Sequence, residues 1–548
     1  MPAADLVFLG ATVEPITPLP GRAPDALAVT DGRIAAVGVS AAIEPLIGSR
    51  TRVIRLRGET LLPGFQDAHI HPIQGELTAM SCDLNDLDAR QFGEAIRAYA
   101  ARHPERDWIV GAGWSVTDFP DAAPRRSTLD ALVPDRPVFL WSRDGHSAWV
   151  NSRALEHAGI TASTPDPAGG VIVREPDGAP SGTLRERAIS LVEELVPLPS
   201  AELHAAALGA VQRRLHALGI TAWQDASVYD TAACARQLEA YRAAAAGGSL
   251  HARVEAALFW DPGRGVEQVE GFLAQRASAS VGRLRAGTVK IWVDGVVEGL
   301  TAAMLEPFLD ADGRVTDNRG LAHVPPEALR EAVVALDRAG LQVHLHAIGD
   351  AAVRSALDAI EAAHRGNGPS DLRHHVAHVQ VIHPADLPRF EEVGATATIQ
   401  PIWARHEPTM DERTNPFLGT ERSGWQYPFA SLLRQGARLA AGSDWPVTSA
   451  NPLLEIEVAV TRVSPKARGG SPFLPDQRLS LDEALAAFTI GSAFVNHLDA
   501  DTGSLEVGKL ADLALLDRNL RAPDAGPIGE ATVLGTWVEG LEVYAAPI

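Results

Sequence analysis

The segment from Leu61 to Pro72 contains the pattern His69-Ile70-His71, the feature of this chain that most directly suggests chemistry. If the segment is a β-strand, both imidazoles project from one face about 6.6 Å apart, close enough to bind one metal ion. The pattern alone is weak evidence, because two histidines on one strand face are more often ordinary hydrogen-bonded residues. Its meaning depends on the other polar residues of the chain.

More nitrogen and oxygen donors follow apolar, strand-like runs: Lys290, His344, His346, His378 and Asp444. A buried ammonium is costly, so Lys290 either pairs with Asp294 or Glu298 or is a neutral amine that adds carbon dioxide beside metal ions. Asp444 could be a metal ligand, a general base or a loop cap. His344 and His346 share a strand face, and geometry alone does not choose between them.

The elements that must position these residues alternate between strand-like and helix-like runs from about Ala201 to Ala493. Eight strands with interleaved helices predict an α/β fold, a parallel (β/α)8 TIM-like barrel with its active-site face at the carboxyl ends of the strands. The predicted strands are Leu61–Phe65, Thr221–Ala226, Ala252–Phe259, Gly287–Asp294, Gln342–Ala347, His375–Val379, Ala395–Ile399 and Arg438–Gly442. The helix-like runs include Glu202–Leu218, Pro325–Ala339, Ala351–His364 and Pro384–Val393.

The two ends of the chain depart from this alternation and contain short strand-like runs separated by Gly and Pro. Residues 1–60 and 496–548 are therefore predicted to form one small β-sandwich domain beside a barrel of residues 61–495. Residues 73–200 are too long and mixed for a βα loop, and predict a large substrate or lid insertion after the first barrel strand.

Composition excludes several function classes. The 48 Lys and Arg residues against 69 Asp and Glu give a formal charge of -21, which disfavours nucleic acid and anionic membranes as partners. Cys82 and Cys234 are too few for a disulfide framework or a thiolate zinc site, which favours a reducing cytoplasm. No secretion signal or membrane-spanning segment is recognised.

The ordered motifs resemble the amidohydrolase superfamily, and within it the YtcJ-like amidohydrolase 3 group that includes N-substituted formamide deformylase. The resemblance spans nearly the whole chain and implies a metal-dependent hydrolase. The matching segments are Pro63-Gly64-Phe65 with Asp67, His69 and His71; Lys290 with Asp294-Gly295; His346-Ala347-Ile348-Gly349-Asp350; Ala377-His378; Gln400-Pro401; Gly442-Ser443-Asp444-Trp445-Pro446; and Gly503–Lys509 with Ala511-Asp512.

The resemblance implies a metal site with one or two divalent ions and metal-activated water as the nucleophile, with Asp444 moving the proton. Zinc is the expected metal, and iron, manganese or cobalt would also suit these ligands. His344 is then expected to be a hydrogen-bonded residue of the barrel interior, and His374, His375 and His383 are interpreted as structural. The implied ligands are His69 and His71 on one ion, a carboxylated Lys290 as bridge, His346 and His378 on the second ion, and Asp444.

The insertion contains a second set of resembling segments, around Gly113-Trp114, Arg143–Ser152 and Ser181–Glu186. They imply substrate-side roles: His146 as a catalytic hydrogen-bond donor to the substrate carbonyl or oxyanion, and Trp114, Trp149 and Asn151 as substrate-binding residues. Each could equally be a packing residue. Trp403 is a further candidate wall of the pocket.

One departure from the resemblance concerns the loop after Lys290. Many relatives have Asp-Gly-Ser-Leu-Gly-Ser-Arg-Thr-Ala there, whereas this chain has Asp294-Gly295-Val296-Val297-Glu298-Gly299-Leu300-Thr301-Ala302. The arginine is absent and Glu298 is present. If the loop faces the pocket, a neutral or cationic amine is favoured over an anionic substrate group.

The leading hypothesis is hydrolysis of a non-peptide C–N bond in a small amide, formamide or N-acyl compound. The alternatives are a cyclic amide or carbamate hydrolase with the same site, and a binding protein on a scaffold that has lost catalysis. The expected partner is a small-molecule substrate, together with a second copy of the chain in a homodimer.

Overall fold

The computed structural model describes residues 3–18, 22–85, 87–119, 123–143, 145–228 and 235–547. These residues fall into two compact units. The first unit comprises Met1–His71 with Gly209–Ile548, and the second comprises Pro72–Leu208.

The first unit contains an eight-stranded parallel sheet whose strands lie in chain order, each hydrogen-bonded to the next. Backbone hydrogen bonds just beyond the last strand join it to the first, from Asp444 N to His69 O at 2.8 Å and from His71 N to Trp445 O at 2.9 Å. The predicted barrel fold is thereby confirmed. Its strands are β1 (Phe65–Ile70), β2 (Ile220–Val228), β3 (Arg253–Phe259), β4 (Leu284–Trp292), β5 (Gln342–Ala347), β6 (His375–His378), β7 (Thr396–Ile399) and β8 (Arg438–Ala441).

One strand prediction is wrong: the first barrel strand is Phe65–Ile70, not Leu61–Phe65. The residues before it, Thr60–Pro63, pair with Leu513–Leu516 in another sheet. The chain changes sheets at Gly64, where a Cβ atom would lie 2.4 Å from the Thr221 side chain. Only glycine allows this close approach, and an apolar run does not reveal such a crossing.

Helices connect the barrel strands and bury their apolar faces against them. The predicted helix over Pro384–Val393 is instead a short 3-10 turn, Pro384–Asp386, followed by one helical turn, Arg389–Glu392. Pro388 lies between the two and cannot continue the hydrogen-bonded ladder. The helix Ala201–Ala217 enters this unit at Gly209. The other main helices of the unit are Ala235–Ala246, Gln268–Ala279, Pro326–Arg338, Asp350–Asn367, Asn415–Ser423, Phe429–Arg434, Pro452–Thr461 and Leu481–Ala486.

Two smaller sheets combine the ends of the chain. Phe8 and Trp537 meet edge to face at 5.0 Å within their shared core, which also contains Leu61 and Leu513. The first sheet contains Leu6–Leu9, Ala26–Thr30, Arg33–Gly38 and Arg52–Arg55, and the second contains Thr12–Val13, Thr60–Pro63, Leu513–Leu516, Val533–Val538 and Leu541–Ala545. The termini therefore form the small β-sandwich expected from the sequence.

The second unit is built on a six-stranded mixed sheet with short helices. Cys82 is buried within it, and Cys234 lies outside the described residues. The strands are Cys82–Asp83, Ile109–Trp114, Val138–Ser142, Ser147–Val150, Gly170–Arg174 and Pro180–Glu186, and the main helices are Pro72–Ala79, Ala89–Arg102, Arg126–Leu132 and Ser152–His157.

Within the described part of the chain, every helix is too short or too polar to cross a lipid bilayer.

Candidate metal centre

Three ligand-type side chains converge where the first and last barrel strands meet. His69 Nε2 lies 3.3 Å from Asp444 Oδ1, and His71 Nε2 lies 3.2 Å from the same oxygen. One donor atom from each of the three residues falls within 4.8 Å of the others. Two imidazole nitrogens and one carboxylate oxygen at such distances form a set that a divalent cation can bind.

Local sequence explains this convergence. Gly442 follows β8, and a Cβ atom there would lie 2.5 Å from His69 N, so glycine allows the two strands to approach. The Asp67 carboxylate accepts hydrogen bonds from His69 N at 3.0 Å and from Ser443 Oγ at 2.6 Å, which ties the two strands together. Asp444 then takes a left-handed conformation with φ 54°, which Asp tolerates better than most residues.

The charge states of Asp444 and His69 suit metal binding. Burial opposes ionisation of Asp444, but the hydrogen bond from His71 and the nearby His378 and Lys290 outweigh it, so its pKa lies below its ordinary value. Burial and the neighbouring Lys290 hold the pKa of His69 well below its ordinary value. At neutral pH the cluster therefore offers a carboxylate and a neutral imidazole, the forms that bind metals.

Lys290 lies beside this cluster on β4. Its Nζ is 3.5 Å from His69 Nε2 and 3.4 Å from His344 Nε2, and the side chain is buried. Desolvation lowers the pKa of Lys290 to about 7, although Asp444 opposes the shift. A substantial neutral fraction is thus present at neutral pH, and the neutral amine is the form that adds carbon dioxide.

The sequence left open an ion pair between Lys290 and Asp294, and the structure gives Asp294 different partners. Its carboxylate accepts backbone hydrogen bonds from Ile348 at 3.0 Å, Gly349 at 2.8 Å and Ala303 at 2.9 Å. A Cβ atom on Gly349 would lie 2.1 Å from Ala303 O, so glycine is required there. These motif residues hold the loops after β4 and β5 together.

The predicted ligands of a second ion, His346 and His378, face each other with ring centroids 4.4 Å apart. The His378 ring is also 4.6 Å from that of His69. His378 Nδ1 pairs with Gln400 Oε1 at 3.1 Å, and His346 Nε2 lies 3.3 Å from Gly295 O. The geometry brings both histidines to the edge of the cluster.

His344 lies deeper in the barrel than His346. It is fully buried, and its Nε2 is 2.9 Å from His69 Nδ1 while its Nδ1 is 2.5 Å from Gln224 Oε1. It is the hydrogen-bonded interior residue that the sequence led us to expect. Gln224 was missed, although a buried polar pair, Gln224-Asp225, in the apolar strand β2 was a signal for it.

Comparison with known proteins identifies the family. The sequence profile described as "Amidohydrolase family" matches residues 52–544. The chain belongs to this family.

Three curated relatives align with most of this amidohydrolase. "Protein LONG AFTER FAR-RED 3" of Arabidopsis thaliana is 33% identical, over 95% of this chain and 88% of its own. "Putative amidohydrolase YtcJ" of Bacillus subtilis is 31% identical, over 96% of each chain. "N-substituted formamide deformylase" of Arthrobacter pascens is 29% identical, over 98% of each chain. The predicted YtcJ-like relationship is confirmed, and it supports a hydrolase acting on carbon–nitrogen bonds.

A solved structure agrees with this family assignment. An uncharacterized metal-dependent hydrolase from Pyrococcus furiosus superimposes on this amidohydrolase with a TM-score of 0.71 and 25% identity. The match covers 94% of this chain and 99% of that one. The likeness therefore extends over nearly the whole of both chains.

The substrate-side residues predicted in the insertion have structural partners within the second unit of this amidohydrolase. Trp114 and Trp149 are buried in its core with ring centroids 6.4 Å apart, and their indole N–H groups donate to Leu140 O and Arg125 O. The packing interpretation left open by the sequence therefore describes both tryptophans.

The hydrogen bonds of Asn151 favour a capping role over the predicted substrate contact. Its Oδ1 accepts from Val138 N and Ala154 N, both at 3.0 Å, and its Nδ2 donates to Arg136 O at 2.8 Å and Val133 O at 3.3 Å. The side chain caps the helix Ser152–His157, and its amide has no capacity left for a substrate.

His146 is half-buried in the second unit, where its Nδ1 lies 3.2 Å from both oxygens of Glu186. A carboxylate partner orients an imidazole, and a catalytic role for His146 stays a prediction.

Two further candidates lie in the first unit. Trp403 follows β7, and its ring is parallel to the His378 ring at 5.4 Å with an interplanar angle of 8°. Glu298 lies half-buried on the loop after β4 and, after burial itself, contributes to raising the pKa of Tyr427. Trp403 therefore lies beside the predicted ligands, and Glu298 adds negative charge near the same end of the barrel.

Proposed function

We propose that this protein is a metal-dependent hydrolase of a non-peptide C–N bond in a small amide, formamide or related N-acyl compound. The observation that carries the proposal is the convergence of His69, His71 and Asp444 where the carboxyl end of β1 meets that of β8. The family and its relatives support the same reaction class.

The residues at the centre fit a divalent cation. The donor set consists of imidazole and carboxylate groups, and a bound cation would balance the buried negative charge of Asp444. The first ion would be held by His69, His71 and Asp444. With Lys290, His346 and His378, the site could bind one or two metal ions. Zinc suits these ligands best.

A divalent cation bound there would supply Lewis acidity, lowering the pKa of water and polarising the substrate carbonyl. The other steps depend on side chains of the protein. Asp444, held ionised by its neighbours, accepts the proton of the attacking water and delivers it to the departing amine nitrogen. Lys290, neutral in part, can be carboxylated and so place an anionic group opposite Asp444.

The substrate class is argued from two residues. Trp403 offers an apolar ring beside His378, which suits an apolar or aromatic group of the substrate. The loop after β4 lacks the arginine of many relatives and contains Glu298, which favours a neutral or cationic amine. A formamide or amide with an aryl or benzyl substituent on nitrogen meets both conditions.

The first experiment measures metal content per chain by elemental analysis, together with hydrolysis of an N-benzyl formamide. The variants are Lys290→Met, which keeps volume but removes the amine, and Lys509→Met as a matched control, because Lys509 Nζ donates to Asp499 O at 2.7 Å and Ser504 Oγ at 2.6 Å. We expect metal content and activity to fall sharply in Lys290→Met and to persist in Lys509→Met.

Supplying ¹³C-labelled hydrogen carbonate adds a direct test of the carbamate. Its NMR signal should appear in the wild type and in Lys509→Met and be absent from Lys290→Met. A wild type that binds no zinc, manganese or iron and hydrolyses no linear or cyclic amide would overturn the proposal and favour a binding protein. Faster turnover of cyclic amides or carbamates would instead favour the alternative hydrolase.

A further inference from the structure

Three imidazoles and one amide form a continuous hydrogen-bonded path beneath the metal centre. His69 Nδ1 lies 2.9 Å from His344 Nε2, and His344 Nδ1 lies 2.5 Å from Gln224 Oε1. The same Gln224 oxygen lies 3.0 Å from His375 Nε2. All four side chains are buried, so no solvent competes for these atoms. We refer to His69, His344, Gln224 and His375 as the interior path.

The direction of the hydrogen bonds along this path follows from Gln224. An amide oxygen only accepts, so His344 Nδ1 and His375 Nε2 must both carry hydrogen and donate to it. A neutral His344 then has its lone pair on Nε2, which accepts from His69 Nδ1 at 2.9 Å, with Lys290 Nζ farther away at 3.4 Å. His69 is left with its hydrogen on Nδ1 and its lone pair on Nε2.

The contacts of Gln224 Nε2 and His375 Nδ1, at the end of the path away from His69, are consistent with this direction of the hydrogen bonds. Gln224 Nε2 donates to Asn496 Oδ1 at 3.2 Å, in keeping with the amide orientation used above. His375 Nδ1 lies 2.8 Å from Thr398 Oγ1, whose hydroxyl can donate to the remaining lone pair of that ring. Each donor therefore meets an acceptor, and the tautomers of three histidines are set together.

We propose that His344 is a positioning residue that keeps His69 in the Nδ1-protonated tautomer, so that His69 Nε2 is free to bind the metal. Nε2 is the atom that lies 3.3 Å from Asp444 Oδ1, on the side of His71. The inference rests on the metal of the proposed function. It makes His344, with Gln224 behind it, a determinant of metal affinity that touches neither metal nor substrate.

A purely structural role for His344 would predict a different pattern of effects. His374 is a matched comparison: it is also buried, its Nε2 is 3.0 Å from Asp337 Oδ2, and its Nδ1 accepts from Val343 N at 3.0 Å. These contacts lie outside the interior path. Removing either imidazole should lower stability, but only the loss of His344 should weaken metal binding.

The test measures the zinc dissociation constant of metal-depleted protein by competition with a chromophoric chelator, so it does not depend on turnover. His344→Leu removes the acceptor, and His344→Gln can place a carbonyl oxygen near the former Nε2. We expect affinity to fall roughly 10- to 100-fold in His344→Leu, as for other residues that orient metal ligands. His344→Gln should recover most of the loss, and His374→Leu should stay within about two-fold of wild type.

Gln224→Met provides an independent variant. It removes the amide oxygen that sets the direction of the hydrogen bonds along the interior path, and it leaves His344 in place. It should lower the zinc affinity, as His344→Leu does. If His344→Leu does not fold, the zinc affinity of Gln224→Met tests the positioning role by itself. Zinc affinity unchanged in both variants, or His344→Gln as weak as His344→Leu, would overturn the positioning role while leaving the hydrolase proposal intact. A wild type that binds no zinc, manganese or iron would overturn the positioning role, and the hydrolase proposal falls with it if no amide is hydrolysed either.

Discussion

The barrel and the inserted unit both contain residues that the sequence nominated for function, and the structure treats the two groups differently. His69, His71, Lys290, His378 and Asp444 lie in or just after four different barrel strands, yet their side chains gather at one place. In the inserted unit, Trp114 and Trp149 are buried in the hydrophobic core, and Asn151 caps a helix.

The difference follows from the two kinds of sheet. Closing a parallel barrel brings the carboxyl ends of all strands to one face, so polar residues there meet whatever their distance in sequence. The sheet of the inserted unit is mixed, and its large side chains find burial locally against Phe119 and the helix Ala89–Arg102. A motif at a parallel strand end is therefore better evidence of chemistry than an aromatic motif in a mixed sheet.

Among the substitutions that test this comparison of the barrel with the inserted unit, the largest effect on activity is expected at Asp444. Asp444→Asn keeps the shape of the side chain but removes the proton acceptor, so kcat/KM should fall by roughly 10³-fold. Steady-state kinetics with a formamide substrate measures the change. Asp337→Asn is the matched control, because Asp337 also pairs with a buried histidine, His374, away from the metal centre. Similar losses in both variants would contradict the special role of Asp444.

The next effect concerns stability in the inserted unit. Trp149→Ala should lower the free energy of unfolding by about 3 to 5 kcal/mol, because it empties a buried aromatic site between Trp114 and Phe119. Chemical denaturation followed by circular dichroism measures it. KM should remain near the wild-type value at temperatures where the variant is folded. A normal stability with a strongly raised KM would restore the substrate-wall interpretation.

A smaller loss is expected at Asn151. Asn151→Ala removes the cap of the helix Ser152–His157 and should cost about 1 to 2 kcal/mol of stability. Asn151→Asp keeps the capping oxygen and should lose less. Both variants should keep the wild-type kcat/KM, measured below the unfolding transition. A drop in kcat without a change in stability would show that the side chain acts on substrate after all.

The smallest effect is expected at Trp403, in the barrel. Trp403→Leu should raise KM for an N-benzyl formamide by about 2- to 10-fold, the value of one aromatic contact, and leave metal content unchanged. Trp425→Leu is the matched control, since Trp425 packs edge-on against His383 at 5.1 Å. An equal change in KM for both variants would contradict a pocket role for Trp403.

The barrel, the pairing of the two chain ends and the nomination of the donor residues could all be predicted from the sequence. Strand and helix periodicity is local, and the order of the polar residues along the chain survives without coordinates. For this reason the approximate positions of seven barrel strands were predictable, as were the residue types of the centre. The start of the first strand was not, because the crossing at Gly64 depends on packing against Thr221.

The depth of each residue in the fold and its contacts could not be predicted from the sequence. Periodicity places His344 and His346 on the same strand face, but the stagger of neighbouring strands puts His344 against Gln224 and His69 and puts His346 beside His378. Likewise, nothing local distinguishes a tryptophan that packs a core from one that borders a site. The burial of a residue and its contact partners depend on segments that are far apart in the chain. A single sequence does not show which segments meet.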